Sequence, residues 1–200
     1  MHLRALEMLG ILANETGRSD VSIVLLHRAL EIQPDNPELL GNLGIVLRTA
    51  GRIEESLAVH QRAVKTDPIS AGARYNLGIA YEAAGRPEDA IYSYREALWI
   101  DADHIEARNN LGNLLKASGQ IEEAVVEFER VIRLRPEHAE SRSNLGTAYY
   151  VLGRYDDAVA TYREALRIKP MCMVAQFNLA VLLQDVGRLP EAIWAFRKAI

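Results

Sequence analysis

The stretch Asn76-Leu77-Gly78-Ile79-Ala80-Tyr81-Glu82-Ala83-Ala84-Gly85-Arg86-Pro87-Glu88-Asp89-Ala90 decides the fold. Its opening tripeptide recurs as Asn42-Leu43-Gly44, Asn110-Leu111-Gly112 and Asn144-Leu145-Gly146, with a variant at Asn178-Leu179-Ala180, at a constant step of 34 residues. Its Gly-Arg pair keeps the same step at Gly17-Arg18, Gly51-Arg52, Gly153-Arg154 and Gly187-Arg188, with Gly119-Gln120 in between. A period of this length, held without slippage, marks a solenoid rather than a globule around one central core. With the asparagine numbered sixth, residues 1–200 read as a single array of units 3–36, 37–70, 71–104, 105–138, 139–172 and 173–200, the last incomplete.

Within a unit the spacing predicts a helix hairpin. Positions 3, 7, 10, 11 and 14 form one apolar stripe at about 100° per residue; in the third unit they are Ala73, Leu77, Ala80, Tyr81 and Ala84. The glycine at position 15 ends that helix, because a residue without Cβ enters the left-handed region freely. Acids such as Glu54-Glu55, Glu88-Asp89, Glu122-Glu123 and Asp156-Asp157 open the second helix, where they suit the positive end of its dipole. Pro34, Pro68, Pro136 and Pro170 close it. Small residues at position 8 (Gly44, Gly78, Gly112, Gly146, Ala180), position 20 (Ser22, Ser56, Ala90, Ala124, Ala158, Ala192) and position 27 (Ala29 through Ala199) mark close helix approaches. Position 24 supplies the bulk with Leu26, Tyr94, Phe128, Tyr162 and Phe196, His60 being the exception.

These columns resemble the tetratricopeptide repeat family over essentially the whole chain. The resemblance implies an all-α, right-handed superhelical solenoid of antiparallel helix hairpins. Ala102 stands where other units have the closing proline, which predicts a smoother or looser helix end at the junction of the third and fourth units. The first unit has Met8 in place of the asparagine.

Composition narrows the functional classes. The chain has 23 Lys plus Arg against 27 Asp plus Glu, a formal charge of −4 and 49% hydrophobic residues. It therefore carries no bulk basic field for nucleic acid or anionic membrane. No run approaches the roughly 18 apolar residues of a membrane span, and the start, Met1-His2-Leu3-Arg4-Ala5-Leu6-Glu7, is a poor signal peptide. The single Cys172 forms no internal disulfide and fits a reducing, cytoplasmic setting. No phosphate loop, zinc spacing or nucleophile elbow occurs, so no enzyme activity and no cofactor are expected.

The same helical wheel separates the working face from the core. Positions 2, 5, 9 and 12 of each first helix point away from the apolar stripe, with 6 and 13 flanking them; the family resemblance places them on a concave groove. The second unit contributes Glu38, Gly41, Asn42, Ile45, Arg48 and Thr49, and the third Gly72, Tyr75, Asn76, Ile79, Glu82 and Ala83. The fourth contributes Glu106, Asn109, Asn110, Asn113, Lys116 and Ala117, and the fifth Glu140, Ser143, Asn144, Thr147, Tyr150 and Val151. The sixth contributes Val174, Phe177, Asn178, Val181, Gln184 and Asp185.

The asparagine column, Asn42, Asn76, Asn110, Asn144 and Asn178, is the sharpest feature. A carboxamide both donates and accepts, so it can pair with the backbone of an extended peptide. First helices about 10 Å apart meet a strand rising about 3.3 Å per residue at roughly every third residue. The competing reading is a structural consensus residue copied by duplication. Hydrogen bonds worth about 1 kcal/mol each do not outweigh ordering a dozen residues at about 1–2 kcal/mol each. Affinity therefore falls to anchors, for which Tyr75, Ile79, Tyr150 and Phe177 are the candidates, beside Asn113 and Lys116 on the same face. The basic clamp of chaperone-binding family members has no counterpart, since position 5 is Gly41, Tyr75, Asn109, Ser143 and Phe177. The column instead resembles the repeat region of O-GlcNAc transferases, which implies peptide-backbone recognition but no catalysis within these residues.

Other residues read more plainly. Arg74, Arg108 and Arg142 recur at position 4, where pairing with acids of a neighbouring helix competes with phosphate or carboxylate recognition. Trp99 is expected exposed and Trp194 packed. His104 and His138 recur in loops beside Asp103 and Glu137, a weak metal hint, and Met171-Cys172-Met173 is a soft loop triplet. Leu3, Leu6, Met8, Leu9, Ile11 and Leu12 make the first helix apolar on several sides, and Phe196 and Ile200 end the chain without a polar cap. This pattern suggests a segment of a longer protein or copies stacking end to end. The leading expectation is a non-catalytic scaffold for a protein or extended peptide. The alternatives are a recognition arm of an O-GlcNAc-transferase-like enzyme and a self-assembly module.

Overall fold

The computed structural model describes residues 2–199, apart from the Ala199 side chain. Met1 and Ile200, at the ends of the sequence reading, and the Ala199 member of the small-residue column lie outside this description. Among the described residues the chain consists of twelve α-helices. The hairpins are α1 (Leu3–Glu15) with α2 (Ser19–Ile32), α3 (Pro37–Thr49) with α4 (Ile53–Thr66), and α5 (Ala71–Ala83) with α6 (Pro87–Ile100). They continue as α7 (Ile105–Ala117) with α8 (Ile121–Leu134), α9 (Ala139–Val151) with α10 (Tyr155–Ile168), and α11 (Met173–Asp185) with α12 (Leu189–Ala199). No helix among the described residues is long and apolar enough to cross a membrane.

Two compact units result, Met1–His104 and Ile105–Ile200. In the first, α2 packs on α3 and α4 on α5, while α1, α3 and α5 meet side by side. In the second, α8 packs on α9 and α10 on α11, and α7, α9 and α11 meet in the same way. Each unit is thus a short stack of hairpins whose first helices share one side.

Local chemistry sets the helix ends. Asn36 and Ser70 accept the backbone N–H of Leu39 and Ala73 at 3.1 Å, capping α3 and α5. The first helices stop at Gly17, Gly51, Gly85, Gly119, Gly153 and Gly187, all with φ between 68 and 79°. The second helices have no side-chain cap at Arg52, Arg86 or Arg154. The arginine there pairs with the acid three residues on: Arg52 with Glu55 at 2.6 Å, Arg86 with Asp89 at 2.7 Å, and Arg154 with Asp157 at 2.7 Å. Gly-Arg is therefore two devices in one, a left-handed stop and an electrostatic start. Ala102 does not loosen its helix: α6 has 14 residues, as do α4 and α8. The prolines lie two residues beyond the last helical residue, so losing one leaves helix length unchanged.

Packing within each hairpin turns on position 8 against position 24. A Cβ on Gly78 would lie 2.5 Å from the Tyr94 ring, and one on Gly112 2.7 Å from that of Phe128. The rings of Tyr94, Phe128 and Tyr162 are fully buried, each contributing about 1.5–3 kcal/mol. Around them the first unit buries Leu26, Leu39, Leu40, Leu43 and Leu47, and the second Leu115, Val131, Leu182 and Leu183.

Candidate functional site

In the first unit, Asn42 and Asn76 stand half-buried on the shared side of α3 and α5. Asn42 donates its amide N–H to Glu7 Oε1 of α1 at 3.4 Å. Both asparagines border a cavity of about 460 Å³ that also touches Ile45 and His60. Ile79 is half-buried. Tyr75 is half-buried and engaged by protein: its ring centroid lies 5.8 Å from that of Tyr94 and 4.8 Å from that of His104. Of the candidate anchors in this unit, Tyr75 is therefore already part of the packing.

In the second unit, Asn110, Asn113, Asn144 and Asn178 are half-buried on α7, α9 and α11. Lys116 donates from Nζ to Asn144 Oδ1 at 3.3 Å. It sits 5.8 Å from the Phe128 ring centroid, and burial pushes its ammonium below the usual lysine range. Asn178 donates to Thr147 Oγ1 at 3.4 Å. The Tyr150 hydroxyl donates to Asp185, which favours the protonated phenol and raises its pKa. Phe177 is 54% exposed and meets Phe196 edge-on at 6.0 Å. Asn144 and Asn178 thus each spend one side of the amide on a neighbouring first helix.

Two positions assigned to the groove belong to the packing. Asn109 is only 7% exposed, accepts from Ser141 Oγ at 2.7 Å and donates to Glu140 at 3.5 Å. Ser143 is buried as well. At Asn109, position 5 faces the next first helix, α9, which covers it. Phe177, at the same position in the sixth hairpin, is open. The Asn109–Ser141 link was legible only as two polar residues, 32 positions apart, whose columns face each other.

The arginine column is structural. Arg74 pairs with Glu96 at 3.3 Å, and Arg108 pairs with Glu127. Arg142 departs from the expected acid and donates to the Pro136 carbonyl at 2.9 Å. Trp99 is 82% exposed, as its column implied, but Trp194 is 61% exposed rather than packed. Its column is exposed in every hairpin, at Val24, Ala58, Tyr92, Val126 and Ala160 as well. Beside Trp194 a slot of about 770 Å³ opens between α10 and α12, walled by Leu166, Leu179, Leu183 and Trp194. The His138 Nδ1 accepts the Ser141 N–H at 3.2 Å as a helix cap. Among the described residues no three His, Cys, Asp or Glu side chains converge as metal ligands would. Met8, Leu9 and Leu12 of α1 are exposed.

Comparison with known proteins places the repeat. One tetratricopeptide repeat model matches residues 42–104 and 109–170, and another matches 173–193. No curated protein sequence matches the chain. Among solved structures, MamA superposes with a TM-score of 0.74 at 24% identity, over 84% of this chain and 92% of its own. YrrB, described as a TPR protein with an unusual peptide-binding site, does so with 0.73 at 22% identity, over 88% and 90%. A tetratricopeptide repeat protein from Parabacteroides merdae gives 0.83 at 20% identity, over 98% and 78%. At these identities the likeness is one of fold.

Proposed function

Because the chain belongs to the tetratricopeptide repeat family, we propose that it is a non-catalytic scaffold whose first helices hold extended peptides of partner proteins. The observation that carries this reading is the half-buried asparagine column on one side of each unit, Asn42 and Asn76 in the first and Asn110, Asn144 and Asn178 in the second. Where a neighbour engages one end of the amide, as at Asn42, Asn144 and Asn178, it orients the carboxamide and leaves the opposite end for the ligand. Such contacts read peptide backbone, so the column sets direction and register. Selectivity then falls to the residues beside it, Ile79 in the first unit and Phe177 in the second, with Asn113 and Lys116 supplying polar contacts. The lone Cys172 suits a cytoplasmic setting. Titrating 15N-labelled protein with a peptide selected from a random-sequence display library tests the reading. The asparagine side-chain amide signals of Asn110, Asn144 and Asn178 should shift together, whereas shifts confined to the second helices would contradict it.

Two further readings rest on narrower observations. The asparagine column also suits a recognition arm of an O-GlcNAc-transferase-like enzyme. The exposed Met8, Leu9 and Leu12 of α1 suit end-to-end assembly, which sedimentation across a wide concentration range separates from a monomeric scaffold.

A further inference from the structure

The second hairpin holds two departures from its own columns, and they meet at one cavity. Position 24 is His60 where the other hairpins place a leucine or an aromatic ring, and position 5 is Gly41 where the third hairpin places Tyr75. The cavity of about 460 Å³ lies on the first-helix side of the first unit, with the His60 imidazole in its lining. His60 is 1% exposed, and its Nδ1 is buried without a partner.

The space is not an accident of close packing. Gly41 and Gly72, both helical, border the cavity. A Cβ on Gly41 would meet nothing within 4 Å, and one on Gly72 would meet only Ser70 Oγ at 3.9 Å. Neither glycine has a positive φ. Glycine is the poorest helix former after proline, so two glycines that neither sterics nor backbone conformation requires keep this space open at a cost to their helices.

The lining is rich in acceptors. Glu7, Glu38 and Asp67 surround the cavity and no lysine or arginine does. Asn42, also in the lining, gives its N–H to Glu7 and so holds that carboxylate at the cavity. Glu7 lies on α1, Glu38 on α3 and Asp67 at the end of α4, an arrangement that suits a cation with donors spread over several directions. A guanidinium does so, with five N–H donors in a fixed planar fork. His60 adds no competing charge, since burial first and Arg48 second hold it down to about 4, leaving it neutral at pH 7.

We propose that this cavity is a subsite for an arginine side chain, delivered by a peptide lying along α1, α3 and α5. The inference rests on the peptide-binding reading only for what carries the side chain, so its test uses a probe too short to span the asparagines. N-acetyl-arginine amide is titrated into 15N-labelled protein and compared with N-acetyl-citrulline amide, which keeps the shape and lacks the charge. Arginine amide should shift the Gly41, Gly72 and Asn42 signals saturably, and citrulline amide should bind at least tenfold more weakly. Glu38→Gln, at an exposed residue, should weaken arginine binding severalfold. Gly41→Leu, with room for its side chain, should abolish binding while the rest of the spectrum is unchanged. Equal binding of arginine and citrulline, shifts located elsewhere, or no shifts at all would overturn the proposal and leave the asparagine reading standing. Library-peptide binding left unchanged by substitution of the asparagine column, with arginine amide still bound, would overturn the asparagine reading alone.

Discussion

Gly44 and His60 approach so closely that a Cβ on the glycine would stand 2.4 Å from the imidazole Nε2. The same pairing joins Gly146 to Tyr162, where the distance would be 2.9 Å. Hairpin geometry is thus set by the absence of one side chain opposite the presence of another.

Gly146→Ala should therefore destabilise the protein by about 1–3 kcal/mol, the usual cost of overpacking. The sixth hairpin shows the direction of the change, since Ala180 stands at position 8 there and the opposing Phe196 is half-buried rather than buried. Urea denaturation measures it, and a midpoint equal to that of the unsubstituted protein would refute the packing argument.

His60 makes stability depend on pH. Its folded-state value, about 4, lies below the ordinary 6.5, through burial first and the Arg48 charge second. Below about pH 6.5 the unfolded histidine takes up a proton that the folded one does not. Stability should fall as pH drops from about 6.5 to 4, by about 3 kcal/mol at ~1.4 kcal/mol per unit. His60→Phe, which copies Phe128 in the fourth hairpin, removes this dependence. Denaturation at pH 7 and pH 4 should show the variant losing less stability than the parent; equal losses would show that His60 is not the titrating group.

The Arg108–Glu127 pair is largely shielded, with side chains 12% and 19% exposed. Glu127→Ala should cost about 3 kcal/mol by leaving a shielded guanidinium without its carboxylate. Glu164→Ala, which frees Arg167 on an open surface, should cost below about 1 kcal/mol. Thermal denaturation of the two variants compares them directly, and similar losses would contradict a structural role for the arginine column.

Trp99 and Trp194 are both exposed, so the folded protein should already emit at the wavelength of water-exposed indole. Acrylamide should quench it nearly as well as the unfolded chain. A blue-shifted, protected emission would place Trp194 in the core that its column first suggested.

Helix positions were fully legible in the repeat, because every first helix begins at position 1 of its unit and ends at position 13. The close contact of positions 8 and 24 was legible too, as a column of small residues answered by a column of large ones. What single columns hid was the partner across the repeat. Asn109 has the helical phase of a groove residue, yet the neighbouring helix brings Ser141 over it. Trp194 sits in a column of mixed types, from Ala58 to Tyr92, whose members are all exposed because the neighbouring helices leave that face uncovered. The Glu7–Asn42 and Lys116–Asn144 contacts likewise depend on which residue of the adjacent unit stands opposite. Periodicity gives the phase of a residue on its own helix but leaves open what covers it.

The most direct test of the peptide-binding reading is calorimetric. A library-selected peptide is titrated into the unsubstituted protein and into Asn110→Ala, Asn144→Ala and Asn178→Ala combined. Each lost contact is worth about 1 kcal/mol, so the three together should raise the Kd on the order of 100-fold with helical content unchanged. A Kd within twofold of the unsubstituted protein would show that the asparagine column does not hold the peptide.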